Sequence, residues 1–227
     1  TMSVKIKIGV SSKRHGPIKR NKEIQKNNLE GFLKEYNVDP ESMSLMKQVH
    51  GNTVTQVTKR IRVFEDTDGL VTNKKNIYLG VVTADCVPLL LFDKKNSVIG
   101  AIHSGYKGIF LGIIQNAIEK SEESGAECRQ INAIIGPSIG VCCYDVDFDR
   151  AKAFKEKFGH KIVEERQNKY FINLPKLVEN ILITEGLIKE NIFSTDICTS
   201  CNNKDYYSYR LESKESYGEF VSFIGME

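Results

Sequence analysis

The sequence predicts a mixed α/β (α+β) fold, a layered mixed β-sheet with flanking helices. Residues 77–104 hold three apolar runs in close succession, IYLGVVT, VPLLLF and SVIGAIH. The continuous apolar character of the second and third suits strands buried on both faces. From Tyr106 the apolar period changes to 3.6, with Phe110, Ile113, Ile114, Ala117 and Ile118 on one stripe. Elsewhere strand-like runs, some adjacent as in hairpins, outnumber about four helical ones, a mixture that implies layers rather than a bundle.

Taken in order, VKIKIGV (4–10) alternates with period two, as a strand with one buried face does. Residues 20–36 have few breakers and read as a helix ending near Asn37. SLMKQV and TVTQVTK follow as strands broken at His50–Gly51–Asn52, and EDTDG (65–69) is an acidic turn. Pro88 opens the VPLLLF run, where a missing N–H does least harm. INAIIG is a further buried strand and CCYDV a short one. Residues 147–158 form a helix, then KIVEE and KYFINL form strands. Asn173 caps a helix over 174–185 and Gly186 fits the position just beyond its end. NIFSTDIC and YGEFVSFIGME supply the last strands.

A chain of 227 residues with 41% apolar and 27% charged residues is expected to form one domain over 1–227 with a sizeable core. No apolar run approaches the length of a membrane-spanning helix, and the N-terminal stretch has no apolar core of a secretory signal. A net charge of +3 is too mild to point to nucleic acid. Lys13, Arg14, Lys19, Arg20, Lys22 and Lys26 form one basic stretch. It reads as a solvated face, or as a positive rim near an anionic ligand. The six cysteines of a long chain without an export signal are expected to be reduced thiols in the cytoplasm.

His50, Cys86 and His103 each fall at the end of a strand-like run. Zinc favours cysteine sulfur and histidine nitrogen, and its catalytic sites use three protein ligands. The spacing is not that of a local knuckle, so a hydrogen-bonded histidine and a buried thiol are the plainer reading. Asp85 is either a turn-forming residue or an acid/base beside such a site. His103-Ser-Gly-Tyr-Lys-Gly runs from strand through a glycine-rich turn to helix, an arrangement that can present N–H groups to an anion. There Gly105 and Gly108 permit close approach and Lys107 supplies charge. Cys198-Thr-Ser-Cys201 lacks a second CxxC to complete a four-cysteine site, which favours a structural role. Cys142 and Cys143 are adjacent and point apart in extended chain, so at most one is expected to face a site.

Six blocks in order carry a resemblance: QVHG (48–51), DGLVT (68–72), TADCVPLLLFD (83–93), AIHSGYKG (101–108), IGPSIGVCCYDV (135–146) and CTSCNNKDYYSYR (198–210). The chain resembles the YfiH-type proteins, the laccase-domain or polyphenol-oxidase-like family. Its members are described as purine nucleoside phosphorylases with adenosine deaminase activity, and some as peptidoglycan editing factors. The resemblance implies a fold similar to toxin deamidase domains and one zinc ion held by His50, Cys86 and His103. It implies purine nucleoside (adenosine, inosine, methylthioadenosine) and phosphate as substrates, with Arg14 a pocket candidate. Joined to the reading of the turn, Lys107, Gly105, Arg14 and Arg210 are expected around the phosphate, and Cys86, His103 and Asp85, the last as acid/base, are expected to be catalytic. Tyr106 and Lys107 stand where the family has Trp and Arg, and lysine keeps the charge but loses the bidentate fork. Copper is disfavoured, because His15, His50, His103 and His160 are the only histidines and cannot ligate several coppers. Two other readings stand beside this one. One is a cysteine hydrolase or amidase in which His103 activates Cys86. The other is a nucleoside-binding protein with weak or no turnover. Oligomeric state is not legible.

Overall fold

Residues of opposite parity along the strands sort the core into layers, and the layers set where the chain must cross between sheets. The computed structural model describes residues 4–20, 23–212 and 217–227. The first strands are β1 (Ile6–Val10), β2 (Lys19–Arg20), β3 (Glu23–Ile24), β4 (Met43–Met46), β5 (Val54–Gln56), β6 (Val63–Phe64), β7 (Gly69–Thr72) and β8 (Tyr78–Thr83). Then come β9 (Val87–Asp93), β10 (Val98–Ser104), β11 (Asn132–Ile135), β12 (Asp145–Val146), β13 (Val163–Arg166), β14 (Lys169–Ile172), β15 (Ile192–Ser194) and β16 (Gly218–Met226). The helices are α1 (Lys26–Glu35), α2 (Tyr106–Leu111), α3 (Ile113–Glu123), α4 (Phe148–Phe158) and α5 (Leu174–Thr184).

One seven-stranded sheet has the order β3-β2-β16-β8-β4-β6, with β1 also paired to β16. A six-stranded sheet has the order β15-β11-β9-β10-β7-β5, and β12-β14-β13 form a small third sheet. Leu79 and Val81 of β8 meet Leu90 of β9, Ile99 and Ala101 of β10 and Ile224 of β16 in one cluster between the two large sheets. The alternate residues Val82, Val221 and Phe223 pack instead under α1, against Leu29, Phe32 and Leu33. Leu89, Leu91 and Ile102 face the other way, toward Ile113, Ile114 and Ala117 of α3 and Leu177, Val178 and Ile181 of α5. The order of layers is therefore helix, sheet, sheet, helices, and β9 and β10 are buried on both faces as expected.

Three differences from the sequence reading have physical causes. The helix expected over 20–36 begins only at Lys26, because Lys19 and Arg20 pair with the start of β16 and with β3. The helical run after Tyr106 breaks at Gly112, whose φ of +93° lies in the left-handed region, so α2 and α3 are separate. Finally, IYLGVVT and VPLLLF do not pair with each other. β8 pairs with β16 and β4, while β9 pairs with β10 and β11. The segment carrying Cys86 is a passage from one sheet to the other. Asn173 caps α5 as expected, its side chain accepting from the Lys176 N–H at 3.0 Å, and Gly186 follows with φ +104°. No helix among the described residues is long and apolar enough to cross a membrane.

Candidate functional site

Three passages between the two large sheets occur at one end. Residues 47–53 lead from β4 to β5, residues 65–68 from β6 to β7, and residues 84–86 from β8 to β9. β10 ends there as well, since His103 and Ser104 pair with Pro88 and Val87. His103 has the parity of Ile99 and Ala101, so its ring points between the sheets. The ligand atoms of His50, Cys86 and His103 consequently all lie within 4.8 Å of one another. The two imidazoles stand edge to face, 4.8 Å between centroids at 88°.

Asp68 organises this cluster. It is fully buried, and Oδ1 accepts from the His50 N–H at 2.9 Å and from His103 Nδ1 at 2.7 Å. Oδ2 accepts from the N–H groups of Gly51 at 2.8 Å and Val49 at 3.2 Å. One carboxylate thus fixes the QVHG turn and the ring of His103 together. With Nδ1–H committed to Asp68, Nε2 is the nitrogen that His103 turns toward Cys86, and the one that would serve a metal ion once its proton is displaced. The same contacts hold His50 in the left-handed region at φ +61°, a conformation unusual for a non-glycine residue. Gln48 adds a second anchor: its amide donates to the Val82 carbonyl at 2.8 Å and accepts from the Val82 N–H at 3.1 Å. Sequence reasoning placed Asp68 in an acidic turn and missed its role. The available signal was its position opening the DGLVT block, directly ahead of a strand.

Burial opposes charge on every group here, yet the groups correct one another. Cys86 is desolvated, but the positive His103 and hydrogen bonds from His103 and His50 outweigh that and bring its thiol down to about 7. Burial likewise opposes a charged His103, and the Cys86 thiolate and Asp68 together raise it to about 9. For Asp68, desolvation is overcome by the hydrogen bond from His103 and those from the 49–51 backbone, so its carboxyl is held below the usual range. The cluster is a thiolate with histidines and a supporting carboxylate, the donor set of a metal centre. A tetrahedral zinc ion keeps such ligand atoms ~3.3–3.8 Å apart, given bonds of ~2.3 Å to sulfur and ~2.0–2.1 Å to nitrogen. Ligand atoms within 4.8 Å of one another need only small side-chain rotations to hold one ion, with Cys86 Sγ, His103 Nε2 and a nitrogen of His50 as its holders.

The glycines of HSGYKG are needed for closeness. A Cβ on Gly105 would lie 3.2 Å from Cys86 Sγ, 3.4 Å from His50 Cδ2 and 3.5 Å from His103 Cε1. A Cβ on Gly108 would lie 2.7 Å from the Gly51 carbonyl oxygen, so that glycine lets α2 rest on the His50 turn. Lys107 is exposed in the first turn of α2. Tyr106 packs its ring beneath the Arg150 guanidinium at 4.3 Å. Tyr144 is buried nearby. Burial first, and then the charge of Cys86, raise its phenol to about 12 against the opposing pull of Arg150.

The remaining expected residues are placed differently. Asp85 has φ +89°, and its carboxylate is turned to the C-terminal loop. It accepts from Thr199 Oγ1 at 2.6 Å, Ser208 Oγ at 3.1 Å and the Arg210 N–H at 2.7 Å. The Arg210 guanidinium is engaged by Asp145 and by the Cys143 carbonyl at 3.1 Å. Arg14 pairs with Glu35 at 2.8 Å. Lys13, Lys19 and Lys26 pair with Glu212, Glu219 and Glu30, so most of the basic stretch is neutralised, and Lys22 lies outside the described residues. One expectation is corrected. Cys142 and Cys143 both face the same site, since their sulfurs lie 3.5 and 3.4 Å from Cys201 Sγ. The alternation argument holds for extended chain, whereas Gly140–Tyr144 is a tight turn in which the N–H groups of Cys143 and Tyr144 both donate to the Gly140 carbonyl at 3.0 Å.

Comparison with known proteins follows the same lines. Residues 18–227 match the family described as multi-copper polyphenol oxidoreductase laccase. Purine nucleoside phosphorylase YlmD of Bacillus subtilis is 33% identical over 213 residues, covering 88% of this chain and 76% of that protein. Adenosine deaminase RL5, from an unknown prokaryotic organism, is 29% identical over 186 residues, covering 76% of this chain and 71% of that protein. The crystal structure of the hypothetical protein YfiH of Bacillus licheniformis superposes with a TM-score of 0.89 at 25% identity, covering 98% of this chain and 93% of that one.

Proposed function

The chain belongs to this laccase-domain, YfiH-type family, and from that premise we propose that it is a zinc-dependent purine nucleoside phosphorylase that also deaminates adenosine. The observation that carries the reading is the meeting of His50 and Cys86, from two passages between the sheets, with His103 at the end of β10, while Asp68 from the third passage fixes the His103 tautomer. Sulfur with two imidazoles is a zinc donor set. The multi-copper wording of the family does not suit this chain: His15 is bonded to Ser12 and Glu35, and His160 begins a turn beyond α4.

A zinc ion held here would supply Lewis acidity toward an oxygen or nitrogen of the substrate. The chain's own residues do the rest. Asp68 keeps Nδ1 of His103 protonated and Nε2 available. Gly105 leaves the side-chain-free space in which a nucleoside approaches the three ligands. Lys107, exposed and without an ion pair among the described residues, offers its ammonium to phosphate. In phosphorolysis a phosphate oxygen bonds to the ribose anomeric carbon as the bond to the purine nitrogen breaks, and the purine leaves with that electron pair and takes up a proton. A phosphate dianion held in line stabilises the developing positive charge of the ribose. Asp85 is a positioning residue: it pins Thr199, Ser208 and the backbone of Arg210 beside Cys86. The guanidiniums of Arg210 and Arg14 are engaged by Asp145 and Glu35.

The test is release of free base from adenosine, inosine and methylthioadenosine with and without phosphate, together with inosine formation from adenosine. Phosphate-dependent base release that disappears in Cys86→Ala is expected. Undiminished activity in that variant refutes the proposal. One observation favours a second reading, a cysteine hydrolase: the lowered thiol of Cys86 against the raised His103 is a thiolate–imidazolium pair. A zinc ion that is lost on Cys86→Ala excludes it, while a protein without metal at His50, Cys86 and His103 that accumulates an acyl-enzyme establishes it.

A further inference from the structure

Four cysteines remain that the site above does not use. Cys142 and Cys143 occupy the tight turn after Gly140, and Cys198 and Cys201 occupy the turn after β15. Backbone pairing brings the two turns together: the Ser138 N–H donates to the Ile197 carbonyl at 3.1 Å and the Thr199 N–H to the Ser138 carbonyl at 3.0 Å. One sulfur from each of the four residues then lies within 4.8 Å of the others. Cys201 stands 3.5 Å from Cys142 and 3.4 Å from Cys143. In a zinc tetrathiolate with bonds of ~2.3 Å the sulfurs are ~3.8 Å apart, so small side-chain rotations suffice.

Packing gives no reason for this cluster, because Cys142 and Cys201 are exposed. Pairing into two disulfides would need an external oxidant, and the four thiols are unbridged in this structure. One ion satisfies all four sulfurs at once. The surroundings also suit a thiolate centre of net charge −2. The Gly140 N–H donates to Cys198 Sγ at 3.2 Å, the kind of outer contact that orients and stabilises a metal-bound sulfur. Two guanidiniums flank the Cys142–Cys143 turn. Arg166 donates to the Val141 carbonyl at 2.6 Å and Arg210 to the Cys143 carbonyl at 3.1 Å.

We propose that Cys142, Cys143, Cys198 and Cys201 bind a zinc ion in a tetrathiolate site distinct from His50, Cys86 and His103. Four thiols release four protons as four sulfur–zinc bonds form, and no electron is transferred. The role is structural. The ion clasps the 140–144 turn to the 198–210 loop, whose Thr199, Ser208 and Arg210 hold Asp85 next to Cys86. This site stands or falls independently of the catalytic reading.

The experiment is zinc analysis of the full chain, purified without chelator, for wild type, Cys86→Ala and Cys198→Ser/Cys201→Ser. Two zinc ions per chain are expected in wild type and one in each variant. Cys86→Ala reloaded with cobalt(II) should show the sulfur-to-cobalt charge transfer and intense ligand-field bands of a four-sulfur tetrahedral site, whether or not the double variant folds. A Cys86→Ala protein that takes up no metal, a cobalt spectrum without sulfur ligation, or iron in place of zinc overturns the proposal. So does peptide mapping that finds the four cysteines in disulfides in the freshly purified protein.

Discussion

Asp68→Asn changes one oxygen for nitrogen in a side chain with four hydrogen bonds, and its consequence can be worked out atom by atom. The carboxylate accepts on both sides, from His50 N and His103 Nδ1 at one oxygen and from Val49 N and Gly51 N at the other. An amide accepts on one side only. If its oxygen faces Val49 and Gly51, its NH2 faces His103 Nδ1, which must then give up its proton. The proton moves to Nε2, the atom a metal needs. If the oxygen instead faces His103, the NH2 opposes two backbone N–H groups and the QVHG turn shifts, carrying His50 with it. Loss of such a supporting partner weakens metal binding by about 10- to 100-fold, or ~1.4–2.7 kcal/mol. Competition with a chromophoric zinc chelator measures this, and nitrogen chemical shifts of His103 report the tautomer. Wild-type affinity with an unchanged tautomer in Asp68→Asn would refute the assignment of Asp68 as the organiser of the site.

Three further outcomes are expected. Gly105→Ala places a methyl 3.2 Å from Cys86 Sγ, and overpacking of ~1–3 kcal/mol should appear as a lower unfolding midpoint of the metal-free protein and as weaker zinc binding in the same competition assay. Phe154→Ala empties a fully enclosed position under α4 and should cost ~3–5 kcal/mol in urea unfolding while leaving metal stoichiometry intact. Tyr144 and Tyr217 are both raised to about 12, and Tyr78, Tyr206 and Tyr207 are raised as well, all chiefly by burial, so late steps should appear in an alkaline titration of tyrosinate absorbance. The raised value means that the neutral phenol of Tyr144 stabilises the fold below pH ~10 and that this contribution is lost as pH rises through about 12. Tyr144→Phe should remove one late step, and an unchanged late amplitude would contradict the buried placement.

The buried strands β9 and β10 and the capped helix α5 were legible because period and capping are local properties that burial reinforced. The partner of β8 was not legible. Its apolar run is equally compatible with pairing to β9 or with leaving for another sheet, and only the distant β16, nine residues long, settles the matter. The same locality limits the site. His50, Cys86 and His103 were visible as soft ligands at strand ends, and family resemblance joined them. Asp68 was hidden because a buried carboxylate and a turn carboxylate look alike in sequence, and the groups that distinguish them lie 17 to 35 residues away. Cys142 and Cys143 were misread because the argument assumed extended backbone where the chain turns.

The three passages between sheets have a mechanical meaning. His50 hangs from the end of a strand in one sheet, His103 from a strand in the other, and Cys86 from the segment that joins them. An ion gripping all three is a rivet through both layers at a single edge. Whatever binds there also resists the sliding or splaying of one sheet against the other. Affinity for the ion and resistance to unfolding then become one quantity shared between two readouts, with saturation at 1,000 times the dissociation constant worth about 4.1 kcal/mol.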